Sequence, residues 1–156
     1  MSVPNIRIDS PLSLYSIPVL YVVALYPQYV KGFLMKAALG GYPNTNPRGN
    51  IEKCRKKGIS EDIIKKMERA QGAHTNGLET WPVFAISILA ANVAGVDHRT
   101  TNLFAGGIVV LRIIYNWLYI NGTTGRIASL RSLNWTVTMI ASLVLVVKAA
   151  NGFKAV

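Results

Sequence analysis

Four stretches of this chain run for most of a membrane's thickness with almost no formal charge. They are Leu12 to Val30, Thr80 to Val96, Thr100 to Thr124 interrupted only by Arg112, and Ser132 to Val147. Each approaches the roughly 20 residues that a helix needs to cross about 30 Å of hydrocarbon. No water is available there to satisfy peptide groups, so a spanning segment must close its own hydrogen bonds, and blocks of this length do so as helices. The expected fold class is therefore all-α, a four-helix transmembrane bundle in a single domain over residues 1–156, with helices at about 12–39, 61–96, 100–121 and 128–150.

The second block is long enough only if its helix starts near Arg69, and the third only if it carries Arg112 inside the membrane. An arginine at that depth is costly unless it faces protein, water or a ligand. The first block resembles a secretory leader in position, with Arg7 ahead of it. It is too long for that, holds Pro18 and Pro27, and meets Lys31 and Lys36 before any small-residue cleavage site. Both prolines are tolerable in a membrane helix, although each removes a backbone donor.

A net charge of +10 would suit a nucleic-acid partner if the cations covered a soluble face. They do not. Arg48, Lys53, Arg55, Lys56, Lys57, Lys65 and Lys66 crowd the first connection, and Arg126 and Arg131 mark the third. We therefore expect no nucleic acid, and membrane lipids as surroundings. The positive-inside rule puts these two connections in the cytoplasm and both termini on the other side, as an even number of spans requires. The compartment would be the endoplasmic reticulum in a eukaryote and the inner membrane in a bacterium.

Gly40 to Asn50, rich in Gly, Pro and Asn, is expected to close the first helix and open a loop reaching to about Ser60. Ser60 followed by Glu61 and Asp62 predicts a helix start. Asn121 to Gly125 is a tight turn between antiparallel neighbours. Cys54 is alone, which rules out an internal disulfide and any cysteine-built zinc site. His74 and His98 are expected at opposite sides of the membrane, so no metal site is predicted. Two glycosylation sequons, at Asn121 and Asn134, fall in a cytoplasmic turn and inside a helix, where we expect neither to be used.

Polar residues enter the apolar blocks at helical spacing. Arg69, Asn76 and Glu79 share one side of the second long helix, with Gly72 and Ala73 leaving room beside them. Arg112, Tyr115 and Tyr119 share a face of the third. Arg131, Asn134, Trp135, Thr138 and Ser142 share a face of the fourth. Three helices thus bring a polar stripe with one arginine each to the cytoplasmic half of the membrane. A common cavity of this kind could bind a small zwitterion or anion, since Arg pairs with carboxylates in a bidentate manner and Glu can hold an ammonium. Plainer readings stand beside it: Arg69 and Arg131 as anchors on lipid phosphates, Arg112 in an ion pair with Glu79, and Trp81, Trp117 and Trp135 as interfacial aromatics.

These residues carry a family resemblance. The run Glu68-Arg-Ala-Gln-Gly-Ala-His-Thr-Asn-Gly-Leu-Glu-Thr-Trp-Pro82, the pattern Arg112-x-x-Tyr115-x-x-x-Tyr119, and Leu130-Arg-Ser-Leu-Asn-Trp135 are similar to the helix signatures of the membrane-associated proteins in eicosanoid and glutathione metabolism, the MAPEG superfamily of microsomal glutathione transferases and their relatives. The resemblance extends from about Asn46 to the C-terminus. It implies a homotrimer binding glutathione as co-substrate between subunits, with a lipophilic electrophile arriving from the bilayer. By family pattern Asn76 and Glu79 would hold the γ-glutamyl end, Arg112, Tyr115 and Tyr119 would line the site, Arg131 would meet the thiol, and Ser132 would donate a hydrogen bond to the sulfur.

The chain departs from the pattern in places. Gly72 stands where eicosanoid-forming members carry an arginine, with Arg69 able to reach in from the preceding turn. Lys31 and Lys36 replace a typical arginine at the end of the first helix, and Arg126 competes with Arg131 for the thiol. The expected function is a glutathione transferase or peroxidase acting on lipophilic electrophiles or lipid hydroperoxides. The alternatives are a non-catalytic lipid-binding or scaffold protein of the same fold, and a small transporter. A transporter would need polar stripes reaching the far side of the membrane, and Leu103 to Leu111 shows none.

Overall fold

A computed structural model describes residues 9–43 and 45–153, so Arg7 lies outside the described residues. Among these the chain forms four long helices and one short one: α1 (Ser16–Leu39), α2 (Asn50–Lys56), α3 (Glu61–Val93), α4 (His98–Asn121) and α5 (Gly125–Phe153). A short 3-10 turn, Leu12–Tyr15, leads into α1. No strand occurs among the described residues. The four long helices pack as one bundle in which α3 touches all the others.

Three of these helices, α1 with its leading turn, α4 and α5, are long and apolar enough to cross a membrane. The 33 residues of α3 exceed the length needed, but its first turns are charged from Glu61 through Arg69. The helix therefore rises from a polar start into an apolar second half, from Trp81 to Val93. The outward faces are greasy: Val22, Phe33, Val93, Leu103, Trp117 and Leu133 are all exposed. That is the surface of a protein whose solvent is lipid.

Local chemistry sets the helix ends. Gly40 adopts φ 73° and closes α1 in the left-handed conformation that a side chain would disfavour. Ser60 occupies the position before α3, but its side chain makes no capping bond. The backbone carbonyl of Ser60 accepts from Ile63 and Ile64, and Glu61 and Asp62 face the positive end of the helix. At α4 the Asp97 carboxylate accepts the Thr100 N–H at 2.8 Å, which starts that helix at His98. The last turn is Gly122–Thr124, and α5 begins at Gly125.

One helix lies where the sequence suggested a loop. Within α2, Ile51 and Cys54 are three apart, and Cys54 packs into a fully buried cluster with Met35, Ile64 and Met67. The Asn46 side chain accepts the Gly49 N–H at 3.2 Å just before it. Arg55 bridges Glu52 at 3.0 Å and Glu68 at 2.8 Å, joining α2 to α3. Two apolar residues in a run of charges are too faint a periodic signal to mark a helix. Burial against α1 and α3 forms it.

The upper core gathers Leu20, Phe84, Ile88, Ala91, Ala105, Ile108 and Leu145. Lower down, α1 and α3 approach so closely at Gly77 that a Cβ there would lie 2.9 Å from the Ala24 Cβ. Small residues permit such contact between membrane helices. Polar groups bond across the bundle: Trp81 Nε1 donates to Ile17 O at 2.9 Å, Asn116 Nδ2 to Val23 O at 2.7 Å, and His74 Nδ1 meets Ala24 O at 2.9 Å. A carbonyl only accepts, so the His74 proton sits on Nδ1. Trp81 is thus a clasp between α1 and α3.

Candidate functional site

Three helices meet around an open cavity of about 410 Å³, lined by Asn76 of α3, Tyr115 and Tyr119 of α4, and Arg131, Ser132, Trp135 and Thr136 of α5. The volume falls in the range of small-molecule sites. Helical spacing puts these residues here: Tyr115 and Tyr119 are one turn apart, as are Arg131 and Trp135.

The Arg131 guanidinium lies over the Tyr119 ring at 4.2 Å, and the Tyr115 and Tyr119 rings meet edge to face at 5.6 Å. No carboxylate pairs with Arg131 among the described residues, because every ion pair there falls on Arg55. Arg131 is therefore a half-buried cation held flat by an aromatic face, with its N–H groups free for an anion. Arg126 is exposed on the first turns of α5 and does not line the cavity. The Ser132 hydroxyl lines it but donates to Ala128 O at 3.1 Å, so its single proton is engaged and it would have to rotate to reach a sulfur.

Arg112 sits one layer behind. It is 3% exposed, with its guanidinium over the Tyr115 ring at 4.2 Å and 5.7 Å from the Phe84 ring. Its Nη2 donates to Asn76 Oδ1 at 3.2 Å, and its Nη1 is buried without a partner. Arg112 thus pairs with an amide, and the ion pair with Glu79 does not form. Because the Asn76 carbonyl oxygen is engaged by Arg112, the amide nitrogen is left as a donor for the cavity. Asn134 is buried on α5, and its Oδ1 also lacks a partner.

Gly72 accounts for the placement of Tyr119. A Cβ at position 72 would lie 2.6 Å from the Tyr119 hydroxyl oxygen. The phenol fills the room that the missing side chain leaves, and the ring that carries Arg131 is thereby set against α3. Nothing in the one-dimensional spacing marked this pairing, although the sequence did single out Gly72 as open space.

Two residues of the expected site stand apart within the single chain. Glu79 is exposed and lines a second cavity of about 550 Å³ with Gln28, Lys31, Arg48, Gln71 and His74. Lys31 donates from Nζ to Gln71 Oε1 there. Arg69 donates from Nε to Ile120 O at 2.9 Å, tying α3 to the end of α4, and faces a third cavity near Lys65, Lys66 and Thr124. Neither side chain reaches the Arg131 cavity. Cys54 is fully buried, and burial pushes its thiol pKa up despite the nearby Lys57, which makes it a packing residue with little thiolate character.

A protein-family model, MAPEG, matches residues 13–151 of this chain. No curated protein and no solved structure gives a match. With nearly the whole bundle inside the match, the chain belongs to the MAPEG family, membrane proteins of the glutathione and eicosanoid metabolism kind.

Proposed function

We propose that this protein is a membrane-embedded glutathione-dependent transferase or peroxidase. The observation that carries the reading is Arg131, a cation without a carboxylate, stacked on Tyr119 at the wall of an open cavity. A thiol with pKa near 8.5 must fall by roughly two units to be mostly thiolate at neutral pH, worth about 2.7 kcal/mol. A guanidinium in a partly dry site can supply that stabilisation.

In this reading Arg131 holds the sulfur as an anion while the thiol proton passes to solvent. The thiolate then bonds to an electrophilic carbon of a lipid-soluble substrate, and the leaving group departs with its electron pair. In the peroxidase variant the sulfur attacks a hydroperoxide oxygen, the alcohol leaves, and a second glutathione yields the disulfide and water. Asn76 offers its amide donor to a glutathione carboxylate, and buried Arg112 fixes that amide and supplies positive potential behind it. In a homotrimer, the Glu79 cavity of one protomer would close over the Arg131 cavity of the next, bringing an acid for the γ-glutamyl ammonium together with Lys31 and Arg48. Gly72 has a structural place in this reading: it seats Tyr119 under Arg131.

Turnover of a lipophilic aryl halide with glutathione by detergent-purified protein tests the reading. We expect wild-type activity, a loss of at least about tenfold in kcat for Arg131→Ala, and partial recovery in Arg131→Lys. A wild-type rate no faster than the uncatalysed reaction, with hydroperoxides equally untouched, would favour a non-catalytic lipid-binding scaffold.

A further inference from the structure

On another face of α4, turned away from the Arg131 cavity, α1 and α4 part to leave a cleft of about 470 Å³. Val22, Tyr26 and Val30 of α1 face Ile113 and Trp117 of α4 across it, and Lys66 and Asn121 stand at one end. From Val22 to Val30, and from Ile113 to Asn121, the walls run about 12 Å. That is close to the ~15 Å depth of one leaflet's hydrocarbon. The end with Lys66 is the end of the bundle that carries the basic connections.

Lys66 also lines the adjoining cavity of about 640 Å³, with Lys65, Arg69, Thr123 and Thr124, and with Asp62 as the acid at its rim. Neither Lys65 nor Lys66 has a carboxylate within ion-pair distance among the described residues, since every such pair is made by Arg55. An apolar slot one acyl chain deep therefore opens onto a pocket holding three cations against one acid. Wall chemistry, length and charge all match one kind of occupant.

We propose that this cleft binds an anionic phospholipid, with one acyl chain between α1 and α4 and the phosphate at Lys65, Lys66 and the Thr123–Thr124 hydroxyls. The site lies within a single protomer and does not depend on glutathione. A neutral lipid gains only the slot, so the preference for a negative headgroup is the signature.

Trp117 lies in the cleft wall and reports on it. A Trp81→Phe, Trp135→Phe background leaves it as the single tryptophan, and the full chain is reconstituted in phosphatidylcholine vesicles. A minor fraction of lipid is then replaced by phosphatidylglycerol or phosphatidylcholine with brominated chains, which quench a tryptophan they touch. We expect brominated phosphatidylglycerol to quench with an apparent affinity about fivefold higher than brominated phosphatidylcholine. The preference should vanish in Lys66→Gln, persist in Lys66→Arg, and persist in Lys53→Gln, which removes the same charge from exposed α2. Equal quenching by both lipids would overturn the proposal in favour of ordinary annular contact. No quenching by either would overturn it too, showing the cleft covered by protein. Circular dichroism of each variant separates these outcomes from misfolding.

Discussion

At Gly72 the absence of a side chain decides where two others go. Its bare backbone seats the Tyr119 hydroxyl, and the Tyr119 ring carries Arg131. Gly72→Leu should improve intrinsic helicity, by about 0.8 kcal/mol on propensity alone, while driving Tyr119 off α3. The expected result is an intact helical spectrum with glutathione turnover reduced at least about tenfold; unchanged turnover would separate Tyr119 from the chemistry. In the proposed mechanism Asn76 serves binding. Loss of one hydrogen bond to an ionised group, about 1.5–3 kcal/mol, predicts a KM for glutathione raised roughly ten- to a hundredfold in Asn76→Ala, with kcat little changed. Periodicity made Asn76, Tyr115, Tyr119 and Arg131 legible as facing residues, because neighbours on a helix face are fixed by geometry. Within one chain Glu79 faces a different cavity from Asn76, since three residues rotate a helix by about 300°, which is enough to carry a side chain from one cavity to the next. Arg112 was legible as an arginine in need of a partner, but the partner proved to be the Asn76 amide on the cavity wall, with Arg112 one layer behind it.

Among the elements, α1 and α3 depend on a contact without side-chain volume. Gly77→Leu would force its branched side chain against Ala24 and should cost at least about 1–3 kcal/mol, the usual range for overpacking; a detergent melt that fails to drop would argue against this approach of the helices. Asp97 starts α4, and the Thr100 N–H holds its carboxyl below the usual carboxylate range. A depressed folded pKa stabilises the fold above the unfolded value, and that contribution disappears as pH falls through the folded one. Acidification below about pH 4 should therefore loosen the start of α4, and Asp97→Asn should remove this part of the acid sensitivity, as read by amide exchange at Thr100 and Thr101. The long helices were legible because lipid demands unbroken apolar blocks. The short α2 was not, because its stability comes from docking Cys54 among Met35, Ile64 and Met67 rather than from its own run of Asn, Glu, Lys and Arg.

On the scale of the whole molecule, the bundle presents apolar residues outward along most of its length, and most cations among the described residues lie at the end that carries the basic connections, with Arg99 and Lys148 toward the other. A reaction between a water-soluble thiol and a lipid-soluble partner needs such a division, with the thiol side reached from the polar end and the partner arriving from the bilayer. In the proposed mechanism Arg131 makes glutathione a thiolate. Titrating the detergent-solubilised protein with glutathione, and following the ultraviolet thiolate band in wild type and Arg131→Ala side by side, tests it directly. A saturable band at neutral pH in the wild type, falling by about 25-fold in the mutant as the thiol returns to its ordinary pKa near 8.5, is the predicted result. A band of equal size in both proteins, or none in a wild type that binds glutathione, would contradict it.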